Sequence, residues 1–102
     1  MSAQNHGSIR LGTTHARPPH RPFGILRADR LFHQYIIGQT GTGKTTLLEN
    51  MIRQDMAAGQ GLCLIDAHGD LAAAAAKHVS ERDIVWNVAD PAAPYGYNPL
   101  IR

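Results

Sequence analysis

The sequence predicts an α/β fold, a three-layer arrangement of a mostly parallel sheet with flanking helices, incomplete within these 102 residues. Three observations predict it. Short runs at 35–37, 61–66 and 83–88 have the β-branched and aliphatic content of buried strands. Between them, Leu47, Leu48, Met51, Ile52 and Met56 recur at helical spacing, and residues 71–78 are alanine-rich. The resulting alternation of strand, helix, strand, helix and strand is the order that right-handed parallel crossovers require.

Taken in chain order, the first 30 residues differ from the rest. They hold five arginines (Arg10, Arg17, Arg21, Arg27 and Arg30) against Asp29 alone, whereas residues 31–102 hold five basic and seven acidic groups. Only 9 of the first 30 residues are apolar, against 35 of the remaining 72, so residues 1–23 are expected to form a basic, disordered arm ahead of one domain at 24–102. The stretch HARPPHRP at 15–22 favours extended backbone and forbids a regular helix. Such an arm is either a linker or a basic strap for nucleic acid phosphates, and no aromatic interleaving supports base stacking. The six histidines lack paired metal-ligand spacing, which argues against zinc.

A lone Cys63 excludes a disulfide framework, and the longest apolar run, six residues at 71–76, is far short of the roughly 20 that cross a bilayer. No signal-peptide core is present at the N-terminus. A cytoplasmic location is therefore expected, with assembly at the inner face of the membrane open through a partner or missing segment.

After Tyr35, Ile36 and Ile37 comes Gly38-Gln39-Thr40-Gly41-Thr42-Gly43-Lys44-Thr45, an unbroken match to the Walker A pattern. Chance gives that pattern in about one chain in 300 of this length. Its chemistry accounts for each residue type. Consecutive backbone N–H groups surround closely spaced phosphate oxygens only where side chains do not intrude, hence Gly38, Gly41 and Gly43. Lys44, the candidate catalytic group, brings a mobile positive charge to the β and γ phosphates, and the Thr45 hydroxyl is placed to ligate Mg²⁺. Thr46 opens a helix whose first-turn amides add to the field, with Gly59 available to end it. The whole set 38–46 is thus expected to bind ATP and Mg²⁺ within a P-loop NTPase fold.

GLCLID at 61–66 reads as a second strand ending in a carboxylate. Asp66 has three readings: a metal-holding Walker B aspartate, a residue near the phosphates or a neighbouring subunit, or a strand-end turn former. His68, beside Gly69, reads as a turn hydrogen-bonder rather than a base, Asp70 as the N-cap of helix 71–78, and Cys63 as a small buried strand residue. Residues 83–88 form the third expected strand. Tyr97 reads as a packing residue or an adenine platform, and Asn98 as the cap of a further helix.

These segments, with residues 24–30, His33 and the ending Tyr97-Asn98-Pro99-Leu100, resemble the start of the ATPase domain of the HerA/FtsK superfamily. The nearest likeness is to type IV secretion or conjugative coupling proteins of the TraG/TraD kind and to HerA-type helicase domains, over about 24–101. Ala67 stands where that pattern commonly has proline, while Asp66, His68, Gly69 and Asp70 match. The resemblance implies a DNA-translocating motor that works as a homo-oligomeric ring, a hexamer, with DNA in a central channel. It also implies that the acidic pair, polarising residue and arginine finger lie further along than residue 102. Arg82 and Arg102 read as solvated charges, so hydrolysis by this chain alone is left undecided. The expected function is therefore the ATP-binding segment of such a motor. The alternatives are a P-loop NTPase of another class, a small-molecule kinase or a GTPase, or a truncated fragment that binds nucleotide without catalysis.

Overall fold

The computed structural model describes residues 7–92 and Gly96. Among them the regular elements are β1 (Ser8–Thr13), β2 (Pro22–Leu26), a 3₁₀ turn (Asp29–Phe32), α1 (Lys44–Ala57) and α2 (Asp70–Ala76). The sheet has two strands, antiparallel, with Ser8 opposite Leu26, Ile9 opposite Ile25 and Arg10 opposite Gly24. Its register then shifts, so that Gly12 faces Phe23 and Thr13 faces Pro22. That shift puts an additional residue into β1 and increases the local twist. Thr14 closes the connecting loop twice: its N–H donates to Arg21 O at 2.8 Å, and its Oγ1 accepts from the Arg21 N–H at 2.8 Å. The proline- and arginine-rich stretch expected within an arm is thus the loop of a hairpin.

The sequence-based fold class is corrected here. The expected parallel strands at 35–37, 61–66 and 83–88 are absent, and the sheet that exists is antiparallel and lies before all three. The reason is lack of cover. A parallel strand needs hydrogen-bonded neighbours and apolar packing on both faces, yet Ile37 is 78%, Ile65 91% and Ile84 71% exposed. Cys63, expected in a buried strand, is also exposed. The accessible surface is 9183 Å², against roughly 5,700 Å² for a compact monomer of this mass. The apolar runs are strand-like in composition and remain without a sheet to enter.

What core there is lies where α1 meets β1 and α2. Ile9 of β1, Met51 of α1 and Ala75 of α2 are the buried apolar residues among those described. Helix α1 forms because straight-chain residues dominate it and Leu47, Leu48, Met51 and Ile52 turn one stripe inward. It stops at a paired cap, in which the Gly59 N–H donates to Met56 O at 3.1 Å and the Gln60 N–H to Asp55 O at 2.9 Å. Gly59 adopts φ +70°, the left-handed position this cap requires. The alanines of α2 let it approach α1 with little side-chain bulk between them.

Two polar contacts tie α1 to the N-terminal segment. The Gln54 side chain accepts from the Arg10 N–H through Oε1 and donates to Arg10 O through Nε2, both at 2.7 Å. Beside it, the Arg30 guanidinium donates both arms to Asp55, at 2.7 and 2.8 Å. That pair is largely shielded and holds the Arg30 pKa above its ordinary value, the hydrogen bond to Asp55 outweighing the opposing cost of burial.

Candidate functional site

The glycine-rich loop at 38–43 is shaped by its own backbone. Thr42 donates to Gln39 O twice, through its N–H at 3.2 Å and its Oγ1 at 2.6 Å. This closes a four-residue turn with Thr40 and Gly41 at its centre. Gly41 has φ +83°, the sign that such a turn demands at its third position. Gly43 has φ +94° and is the N-cap of α1. Gly38 differs: a β-carbon there would stand 2.6 Å from Thr42 Oγ1, so the Thr42 side chain would have to turn aside.

Lys44 Nζ donates to Gly38 O, so the ammonium lies back over the loop that precedes it. The amides of Lys44, Thr45 and Thr46 open the 14-residue helix α1 and have no intrahelical acceptor. The Leu47 N–H is the first to close onto the helix, on Gly43 O at 2.9 Å. The glycine-rich turn, a folded-back ammonium and a helix N-terminus therefore share one end of α1. The Thr45 and Thr46 side chains are exposed at this end.

Asp66 has another occupation. Its Oδ1 accepts from the His68 N–H at 3.2 Å and its Oδ2 from the Ala72 N–H at 2.9 Å. Those donors, Ala72 foremost and the amides of Gly69, His68 and Leu71 with it, hold the carboxyl below its ordinary range against the opposing effect of burial. Asp66 thus serves the start of α2. The expected cap residue, Asp70, is already inside the helix, and Gly69 at φ +88° is the N-cap with no side-chain cap of its own. Among the described residues no group of three or more His, Cys, Asp or Glu could hold a metal ion. Tyr97 and Asn98 lie outside the described residues.

A pH dependence follows from Asp66. Its native pKa is depressed, so the stability it gives α2 is complete above the ordinary value of 3.8 and is lost as the pH falls below that value toward the native one. Asp66→Asn is expected to remove this acid dependence and to speed amide exchange at Ala72 at neutral pH. Hydrogen exchange read by NMR between pH 2 and 7 checks both. Unchanged exchange in the variant would contradict the capping role.

A family model of the type IV secretion-system coupling protein DNA-binding domain matches residues 25–95. The chain belongs to that family. The match takes in β2 from Ile25, the loop 38–43 and both helices of this coupling-protein domain. No curated protein and no solved structure matches the chain. Among the described residues of the coupling-protein domain, no helix is long and apolar enough to cross a membrane.

The functional expectation needs the same correction as the fold. An ATP-binding segment of a translocating motor or helicase requires a strand, loop and helix in series within a parallel sheet, and here the loop and the helix lack that strand and that sheet. The same finding removes the kinase and GTPase readings, since each presumes that core. What the sequence missed are Gln54 and the Arg30–Asp55 pair. A glutamine and an aspartate in mid-helix carry no signal of their own, and the basic count over residues 1–30 gave Arg30 no partner.

Proposed function

We propose that the chain is a DNA-contacting part of a coupling protein that holds phosphate groups on residues 38–46. The observation that carries this is the meeting of the glycine-rich loop, Lys44 and the α1 N-terminus inside a segment matched to a DNA-binding domain. In this proposal ATP with Mg²⁺ is the ligand of the loop. Gly38, Gln39, Thr40, Gly41, Thr42 and Gly43 supply turn and space, Lys44 the charge, and Thr45 and Thr46 hydroxyls beside the first-turn amides, with Thr45 toward Mg²⁺. Asp66 could join the metal only by giving up its hold on α2. The proposal extends to DNA as a partner of the parent protein, to a homo-oligomeric ring of such proteins, and to the HerA/FtsK likeness of residues 24–101.

Binding of a fluorescent ATP analogue with Mg²⁺, set beside inorganic triphosphate as competitor, tests the loop. Lys44→Ala is expected to weaken binding by at least about tenfold, the effect of removing one charge-assisted contact. Triphosphate is expected to displace the analogue. Equal binding by the variant, or no displacement by triphosphate, would show that the loop does not hold phosphate.

A further inference from the structure

The two edges of the hairpin sheet differ. In an antiparallel pair the backbone groups of successive residues point alternately toward the partner strand and away from it. The Arg27 N–H donates to Gly7 O at 2.6 Å, and Ile25 stands two residues before it, opposite Ile9. Gly24 and Leu26 therefore turn their N–H and C=O groups outward, as Arg10 does on β1. The Arg10 groups are held by Gln54, whereas those of Gly24 and Leu26 line an open edge. Among the regular elements described, β2 meets only β1 and the 3₁₀ turn that follows it.

The side chains along that edge define what fits it. Alternation puts Arg21, Phe23, Ile25 and Arg27 on one face, the face on which Ile9, opposite Ile25, is buried. Helix α1 packs on β1 and stops short of β2, so Phe23 is left 50% exposed. A strand laid beside β2 would continue this face, setting its own apolar side chains against Phe23 and Ile25 and its ends against Arg21 and Arg27. Residues 7–28 carry four arginines and no acidic residue. Neither Arg21 nor Arg27 is in an ion pair among the described residues. A second copy of the chain does not suit the edge. Two β2 strands paired antiparallel about Gly24 would set Arg21 of each against Arg27 of the other, and like charges directly opposite destabilise a sheet.

We propose that the outer edge of β2 docks an extended acidic segment of a protein partner, added antiparallel as a third strand, with the pattern carboxylate-x-apolar-x-apolar-x-carboxylate. Backbone pairing with Gly24 and Leu26 holds the segment, and Phe23 and Ile25 supply the apolar contact. Arg21 and Arg27 select the carboxylates. This surface is apart from the loop at 38–46 and does not depend on what that loop binds.

The test titrates the ¹⁵N-labelled whole chain with the capped heptapeptide Glu-Thr-Val-Thr-Val-Thr-Glu. Amide exchange at Gly24 and Leu26 is expected to slow by at least about tenfold at saturation, with exchange at Arg10 unchanged. Replacing both glutamates of the peptide by glutamine is expected to weaken binding about 2- to 30-fold, the range for two exposed ion pairs. The chain variant carrying Arg21→Gln and Arg27→Gln should lose that preference, and Lys44→Ala should keep it. N-methylation of the first two threonines of the peptide, whose N–H groups would face β2, preserves its charge and should abolish binding. The peptide comparisons use the unaltered chain, so they decide the matter even where a variant folds poorly. Equal binding of the methylated peptide would show that the arginines attract anions without strand pairing, and would overturn the site. Protection of Gly24 and Leu26 that rises with protein concentration in the absence of peptide would overturn it in favour of a second copy. Protection by a 15-mer of deoxythymidine and not by the peptide would overturn it in favour of nucleic acid.

Discussion

Gly24→Ala is expected to break the β1–β2 hairpin. A β-carbon at position 24 would stand 2.0 Å from Ile9 O, 2.9 Å from Ile9 C and 3.1 Å from Arg10 Cα, and all three are backbone atoms of the facing strand. No side chain can swing aside to relieve this. Overpacking costs about 1–3 kcal/mol when side chains absorb it, and a clash against paired backbone belongs at or above the top of that range. Gly12→Ala is the graded comparison, because its β-carbon would meet only the Phe23 ring, at 3.2 Å. Cross-strand NOEs between Ile9 and Ile25 give the readout. Their survival in Gly24→Ala would mean that the strands pair less closely than described.

The second large effect lies at Arg30 and Asp55. Both side chains are substantially shielded, at 27% and 14% exposure, and the contact is bidentate. Removing either partner leaves the other charge half-buried and unpaired. Each single alanine variant is therefore expected to lose about 2–3 kcal/mol. The double variant should lose less than the two singles together, with a coupling of about 1–3 kcal/mol in urea unfolding. Shielding also means that 1 M salt should leave most of the coupling in place, unlike an exposed pair. A coupling near zero, or one that vanishes in salt, would show that the contact does not join the Asp29–Phe32 turn to α1.

Local chemistry was legible in the sequence, and long-range pairing was not. The glycines at 41 and 43 take the positive φ values that their place before a helix suggests, and α1 follows the spacing of its leucines and methionines. Those features depend on residues a few positions apart. The apolar runs at 35–37, 61–66 and 83–88 depend instead on neighbours to pair with, and composition alone does not say whether such neighbours are there. The hairpin went unseen for the opposite reason. Its loop is dense in proline and charge, which marks irregular backbone, and only the placement of Gly12 and Gly24 opposite Phe23 and Arg10 reveals that two strands lie against each other across it. Asp66 stands between these cases. The sequence placed it at a turn, and one of its three readings was structural, but that its carboxylate rather than that of Asp70 would serve α2 depends on a contact six residues away.

The Gln54 contact with Arg10 also bears on how copies of this chain meet. Strand β1 belongs to a two-stranded sheet, so one of its sides is an edge, and an open edge recruits further strands. A strand arriving there would need the Arg10 N–H and C=O, and the Gln54 amide already holds both, in the way a neighbouring peptide group would. A single helix side chain thus stands in for the missing strand and keeps a small, thinly covered sheet from growing into an aggregate.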